Sequence, residues 1–305
     1  MSDLSNNVSV GVGGWAYLPG RNRNKLETCS KLYDFVEVNS SFYKLPDIEL
    51  AKKWRASVPV KFQFSVRANG KLTHENHLEP TTENFDAFEE NLVICRSLGA
   101  FVLHFQFPPS FEVTKEVIAN WHQFFGSMQK EQGLYYAFEV RNPKTKTDPF
   151  LQSFIQDNDF IPCDDISRDD LKPSDDSKIL YSRVFGLGDH TKWSFATPEL
   201  EEMKEKIASI SATRKFVTFH NMTMYEDGAR MKELLKPARG DPSGATVGIA
   251  SLEEVLLAEE IEFPISGQEL ASQIAWRTIT SPDGRRIHPN EITSKIPGNP
   301  LLQVN

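Results

Sequence analysis

Short apolar segments alternate with longer amphipathic segments over the first 236 residues of the chain. In the short segments, apolar side chains recur at about every second position, which is typical of β-strands with one apolar face. Eight strand–helix units in roughly 230 residues predict an α/β fold, a TIM-type (β/α) barrel. The predicted strands are residues 8–13, 34–39, 61–67, 101–106, 134–140, 160–163, 179–184 and 215–220.

Three of the intervening segments carry clear helix signals. Residues 83–98 place their apolar side chains on one stripe, and Gly99 is suited to ending that helix. Residues 113–125 show the same periodicity. Thr197 is predicted to be the N-cap of a third helix over residues 198–210, whose first turns are rich in glutamate.

The composition changes at residues 237–248, PARGDPSGATVG, which is typical of a linker. We therefore predict a barrel domain over residues 1–238 and a small C-terminal α+β appendage over residues 239–305. In the appendage, the capping box 266–269 begins a helix predicted to run to about Trp276. A hairpin turning at Asp-Gly is expected to follow within 278–288.

The stretch GVGGWA at residues 11–16 resembles a dinucleotide-binding fingerprint, with the acidic Glu37 at about the expected distance. That fingerprint requires a helix directly after the glycines, but Pro19 and Gly20 interrupt any helix there. We therefore expect no dinucleotide cofactor. Small side chains at 9, 11 and 13 share one face of the strand and are predicted to point into a crowded barrel centre.

Composition excludes several protein classes. The chain has 305 residues, 39% of them hydrophobic, and carries a net charge of −8, which argues against extended nucleic-acid binding but not against a small phosphorylated substrate. Its three cysteines, Cys29, Cys95 and Cys163, are scattered, so neither a disulfide framework nor a zinc cluster is expected. Without a signal peptide or an apolar span, a cytoplasmic protein that does not bind membranes is predicted.

Polar side chains on the predicted strands carry the main functional signal. On each strand they share the face opposite the apolar one and become more frequent toward the C-terminal end, where TIM-barrel active sites lie. Paired carboxylates with histidines suit acid–base chemistry, and arginines suit phosphate or carboxylate binding. The same residues could instead only satisfy one another. The set is Glu37, Asn39, Arg67, His104, Gln106, Glu139, Arg141, Tyr181 and Arg183.

Two further pairs are weaker candidates. His74 and His77 have the spacing of a metal-binding pair but lack the rest of any metal motif, so plain polar loop residues are the alternative. Asp164 and Asp165 follow the sixth strand and could bind a metal or cap a helix.

Several motifs taken together resemble the YecE-like family (domain of unknown function 72). They are VGVGGWAY, FVEVNSSFYKLP, FQFSVRANGKLTH, FQFPPSF, FEVRN, YSRVFG and FHN, in this order between residue 8 and about residue 236. The resemblance implies a TIM-type barrel and no established activity. By position it points to Glu37, Asn39, Phe42, Tyr43, Arg67, His74, Gln106, Pro108, Glu139, Arg141, Arg183 and Asn221.

The favoured hypothesis is an enzyme, a hydrolase or isomerase, acting on a small phosphorylated or sugar-like substrate at the C-terminal rim. Its catalytic residues would be Glu37, Glu139 and His74. Its substrate-binding residues would be Trp15, Asn39, Phe42, Tyr43, Arg67, Gln106, Arg141, Arg183 and Asn221. A divalent metal stays open as a cofactor. The alternatives are metal-assisted cleavage of nucleic-acid phosphodiesters, which the net charge disfavours, and a non-catalytic binding or scaffold protein.

Overall fold

Eight parallel strands form a closed barrel in chain order, as the sequence predicts. The structure, a computed structural model, describes residues 7–19, 24–168, 179–187, 192–236, 252, 256, 265–274, 279–281, 286–287 and 301–302. The strands are β1 Val8–Val12, β2 Phe35–Val38, β3 Gln63–Arg67, β4 Val102–Phe107, β5 Tyr135–Val140, β6 Ile161–Asp164, β7 Ile179–Val184 and β8 Arg214–Phe219.

Helices cover the outside of this barrel. They are α1 Lys25–Leu32, α2 Ile48–Ala56, α3 Thr82–Leu98, α4 Lys115–Gly126, α5 Pro149–Asp157, α6 Thr197–Ser209 and α7 Met224–Leu235. A 3₁₀ turn, Asn39–Phe42, follows β2, and a π turn, Lys71–Glu75, follows β3. Helix α3 ends as predicted at Gly99, which adopts the left-handed conformation with a φ of 60°.

Helix α6 begins one residue earlier than predicted. Ala196, not Thr197, is the N-cap residue, and Thr197 is already helical. The side chain of Glu199 accepts a hydrogen bond of 2.7 Å from the Ala196 amide. It thereby pairs with a backbone N–H that has no acceptor within the helix. The Thr197 hydroxyl instead accepts a hydrogen bond of 2.8 Å from Arg230.

The barrel interior is filled by aromatic rings at its N-terminal end. The ring of Phe35 on β2 packs edge-on against Phe101 and Phe216, with ring centroids 5.5 and 5.6 Å away. A β-carbon on Gly11 would lie 2.7 Å from the Phe35 ring. The small residue predicted at this position of β1 therefore makes room for the aromatic layer, and polar side chains occupy the interior above it.

Replacing Gly11 by Ala is expected to destabilise the protein by about 1–3 kcal/mol, because the new methyl group overpacks the interior against Phe35. Denaturant unfolding checks this value. Gly126 is the matched control, since a β-carbon there meets nothing within 4 Å and G126A is expected to be neutral or slightly stabilising. Equal stabilities for G11A and G126A would contradict the expectation.

The described parts of the C-terminal region contain one helix and four short strands. Helix α8, Gly267–Ile274, begins at the capping box, in which Glu269 accepts from the Ser266 amide and donates its own amide to the Ser266 hydroxyl, both at 3.2 Å. Short strands β10 Ile279–Thr280 and β11 Arg286–Ile287 form the predicted antiparallel hairpin, and β9 Ile265–Ser266 pairs with β12 Leu301–Leu302.

Some predictions for this region lie outside the described residues: the linker 237–248 with the domain boundary inside it, the hairpin turn and Trp276. Among the helices that the structure describes, none combines the length and the apolar character needed to cross a bilayer.

Candidate functional site

A buried guanidinium joins two carboxylates in the upper half of the barrel. Arg183 on β7 donates hydrogen bonds of 2.9 Å to Glu37 Oε1 on β2 and of 2.8 Å to Glu139 Oε2 on β5. All three side chains point inward because each lies on the polar face of its strand, as the alternation predicts. We call these three residues the charge triad.

Hydrogen bonds extend the triad in both directions. The Ser65 hydroxyl lies 2.8 Å from the Tyr181 hydroxyl, which in turn donates a hydrogen bond of 2.7 Å to Glu37 Oε2. Toward the rim, Arg141 Nε donates to Glu139 Oε1. The polar network therefore runs from the middle of the barrel to the C-terminal opening.

Both carboxyl groups are ionised at neutral pH. Burial alone would raise the pKa of Glu37, but the charge of Arg183 and the hydrogen bond from the Tyr181 hydroxyl lower it to about 2. The pKa of Glu139 is likewise held well below its ordinary value by Arg183 and Arg141, against the effect of burial. Each carboxylate can therefore accept a proton, but neither carries one to donate in the resting protein.

Two histidines flank the triad, and both are neutral. Nε2 of His104 lies 2.9 Å from Glu139 Oε2, and Nε2 of His220 lies 3.6 Å from Glu37 Oε1. Burial and the charge of Arg183 lower the pKa of each imidazole. Nδ1 of His104 has no hydrogen-bond partner among the described residues, so this buried ring has unused hydrogen-bonding capacity on that side.

Arg67 on β3 brings a third guanidinium to the rim. It donates to the amide oxygens of Asn39, at 3.0 Å, and Gln106, and its guanidinium carbon lies 3.8 Å from the centre of the Phe42 ring. Its Nε is buried without a hydrogen-bond partner, and no carboxylate of the described residues forms an ion pair with it. Burial, followed by the charge of Arg183, lowers its pKa to about 10, so it stays positively charged.

A cavity of about 420 Å³ opens beside Glu139 at the C-terminal ends of β5, β6 and β7. Its charged lining is paired: Arg141 with Glu139, Lys146 with Asp164 at 3.5 Å and Arg168 with Asp165 at 3.4 Å. The ring of Phe185 also lines it and lies 4.7 Å from the guanidinium carbon of Arg141. This volume and mixed polarity suit a small polar ligand.

The remaining predicted site residues lie at the same rim but in different settings. His74 sits on the π turn with its ring edge-on to Phe42, at 4.7 Å, and burial together with Arg67 and Arg141 lowers its pKa to about 4. Tyr43 is exposed beside Phe42, at 5.0 Å. Trp15 packs edge-on against Trp54, with the ring centroids 4.9 Å apart. Trp15 and Phe42, two of the predicted aromatic residues, therefore pack against neighbouring side chains.

Asn221 is buried and held by its own loop. Its amide nitrogen donates to Asp227 at 2.6 Å, to the Thr223 hydroxyl at 2.9 Å and to the Trp193 carbonyl at 2.8 Å. These bonds fix the loop after β8 against the segment that precedes α6. Asn221 therefore contributes to the shape of the rim by holding these two segments together.

The weaker candidates have structural partners. Asp165 accepts from the amides of Ser167, at 2.9 Å, and Phe185, at 2.8 Å, and so orders two loops of the rim. His77 stacks on Phe111 with ring centroids 4.2 Å apart, whereas its predicted metal partner His74 contacts Phe42. The structure thus gives the two histidines separate packing partners.

His104, Glu139 and Cys163 could together hold a metal ion, since their ligand atoms lie within 4.8 Å of one another. Imidazole, carboxylate and thiolate are ligands that suit zinc. However, Glu139 Oε2 already accepts a hydrogen bond from Arg183, which gives both triad carboxylates a cation. A divalent ion would have to share that oxygen with a guanidinium, so the fit is poor.

Sequence reasoning omitted His220 and Phe185 from the site. His220 falls on the same face of its segment as Phe216 and Thr218, so strict alternation points it inward. Phe185 follows β7 directly. It becomes part of the site only because its ring stacks on His220, with centroids 5.1 Å apart, and contacts the Arg141 guanidinium. Spacing along one strand does not reveal such contacts between neighbouring loops.

The family model described as "Protein of unknown function DUF72" matches residues 9–246, which is most of the chain. The chain belongs to the DUF72 family. The expected resemblance is thereby confirmed. This DUF72 chain is 27% identical over 271 residues to the UPF0759 protein YunF of Bacillus subtilis (strain 168), a match that covers 75% of this chain and 94% of that protein.

Solved structures of DUF72 proteins share the fold. A crystal structure of a family member from Enterococcus faecalis V583 matches with a TM-score of 0.61 at 19% identity, covering 76% of this chain and 98% of the other. A member from Thermotoga maritima MSB8 matches with a TM-score of 0.62 at 16% identity, covering 75% and 99%. At these identities the likeness establishes the barrel, and the chemistry must be argued from the site itself.

Proposed function

We propose that this DUF72 protein is an enzyme that acts on a small, sugar-like substrate bearing an anionic group, bound at the C-terminal rim of the barrel. The observation that carries the proposal is Arg67, a largely buried guanidinium that, among the residues the structure describes, has amide partners, no carboxylate partner and an unused Nε–H. A buried cation without a counter-ion is costly, and an anionic ligand would supply the missing charge. Among the described residues of this network, three arginines (Arg67, Arg141 and Arg183) against two carboxylates (Glu37 and Glu139) leave one positive charge.

Within this proposal, Arg67 and Arg141 bind the anionic group of the substrate, and Phe42 holds the Arg67 guanidinium in place from below. Glu139 accepts a proton from the substrate or from a water molecule, because it is ionised and borders the cavity. Proton removal from carbon would make the enzyme an isomerase, and activation of water would make it a hydrolase. Glu37 fixes Arg183. The neutral His74 packs against Phe42, the ring that also contacts Arg67, and in this proposal it exchanges a proton with the substrate.

Replacing Arg67 by Met is expected to weaken binding of sugar phosphates about tenfold to a hundredfold, since it removes charge-assisted hydrogen bonds. Isothermal titration calorimetry with pentose and hexose phosphates, and with the same sugars lacking phosphate, measures the effect. Substrate turnover is then followed for every compound that binds.

Arg214 supplies the matched control, because it also stacks on an aromatic ring, Phe216 at 4.9 Å, but starts β8 at the opposite end of the barrel. R214M is expected to bind like the unaltered protein. Equal binding of sugar phosphates by R67M and the unaltered protein would contradict the assignment of Arg67.

A further inference from the structure

Four large apolar side chains are exposed on loops at one side of the C-terminal rim, whereas Phe150, which is 51% exposed, lies at the start of α5 on the other side. Tyr17 is 85% exposed, Tyr43 81%, Leu187 58% and Met222 74%. They follow β1, β2, β7 and β8, which are four consecutive neighbours in the closed barrel. We call these four residues the apolar arc.

The opposite side of the rim differs in character. There the cavity beside Glu139 is lined by the paired charges of Lys146, Asp164, Asp165 and Arg168. The rim is therefore divided into a charged half after β5 and β6 and an apolar half after β7, β8, β1 and β2. Single exposed apolar residues are ordinary, but several on adjacent loops around one opening are typical of a contact surface.

The Phe42 ring connects one residue of the apolar arc, Tyr43, to the proposed anion site. The Tyr43 ring lies 5.0 Å from Phe42, and the Phe42 ring lies 3.8 Å from the Arg67 guanidinium carbon. On the other side, Met222 follows two residues after His220, whose Nδ1 lies 3.5 Å from Arg183. A ligand whose anionic group binds Arg67 therefore has the exposed Tyr43 ring near that group, with only the Phe42 ring between them.

We propose that the apolar arc binds a planar ring carried by the substrate, so that the substrate is a ring-bearing phosphate monoester of nucleoside or aryl type. The inference rests on the proposed anion site and adds the chemistry of the remaining part of the substrate. Tyrosine faces favour planar rings over flexible chains, and a methionine thioether packs well against aromatic rings. The positive rim beside this surface complements a phosphate attached to such a ring.

The test compares inorganic phosphate, a pentose phosphate, phenyl phosphate and adenosine monophosphate by isothermal titration calorimetry. The two ring-bearing esters are expected to bind about tenfold more tightly than the pentose phosphate. The double variant Y43S/M222S is expected to remove this preference, so that it binds the two ring-bearing esters no more tightly than the pentose phosphate. Both residues are exposed, so the variant should fold normally.

Val60 provides the control, since it is 96% exposed but precedes β3 at the opposite end of the barrel. V60S is expected to keep the preference for ring-bearing esters. Equal affinities for ring-bearing and ring-free phosphates would overturn the inference and leave the anion site standing. If none of the phosphates binds, the proposed function fails and the inference fails with it. A dimer that Y43S/M222S dissociates in light scattering would also overturn it, because a second copy would then cover the arc.

Discussion

Replacement of Arg183 by Met is expected to lower the free energy of unfolding by about 3–5 kcal/mol, because it leaves two buried carboxylates without their shared cation. Arg183 binds Glu37 and Glu139 at 2.9 and 2.8 Å, and all three side chains are buried. Denaturant unfolding measures the loss. R214M, which removes an exposed arginine from the other end of the barrel, is expected to change stability little.

The pH dependence of R183M provides a second signature. In the unaltered protein, the pKa of Glu37 is lowered to about 2. Its contribution to the free energy of unfolding is therefore fully present above the unfolded-state pKa near 4.5 and is lost as the pH falls toward 2. Without Arg183, burial raises the pKa of Glu37 above its unfolded value. R183M should therefore become less stable as the pH rises above about 4.5. In the unaltered protein, Glu37 has the opposite effect, since its contribution to stability increases as the pH rises.

A triple variant, R183M/E37Q/E139Q, separates loss of charge balance from loss of packing. It removes the cation and both carboxylates, so it is expected to recover much of the stability that R183M loses. If the triple variant is no more stable than R183M, the destabilisation arises from the missing volume of Arg183 and the electrostatic account is wrong.

Glu139→Gln is expected to reduce turnover of the substrate about 10²- to 10⁴-fold while binding stays within a few-fold, because the amide keeps the shape but cannot accept the proton. Since Glu139 is already ionised at neutral pH, kcat/KM of the parent should not fall between pH 8 and pH 5 through titration of this group. The measurement is steady-state kinetics over that range.

Glu112→Gln is the control, since Glu112 is an exposed carboxylate on the neighbouring loop after β4. Circular dichroism must show that E139Q is folded, because the substitution also weakens the bond to Arg183. Full turnover by folded E139Q would contradict the assignment of Glu139 as the proton acceptor.

The sequence reveals the barrel and the inner face of its strands because both depend on alternation along single strands. Glu37, Glu139 and Arg183 were found in this way. Alternation could not show that Arg183 bridges the two carboxylates, and hence that both are ionised, because that contact depends on strands far apart in the chain. Nor could it show that Phe42 lies beneath Arg67 and that Asn221 binds Asp227, since these contacts involve loop geometry.

The charge triad also bears on how the barrel assembles. Its carboxylates lie on β2 and β5, whereas the guanidinium that neutralises them lies on β7, more than forty residues after Glu139. A partial barrel ending at β6 would leave Glu37 buried without an arginine partner and Glu139 with Arg141 alone, which disfavours a stable half-barrel intermediate. Addition of β7 brings Arg183 to the acidic pair, and β8, which pairs with both β7 and β1, closes the barrel. The charge balance of the site and the closure of the barrel therefore depend on the same last two strands.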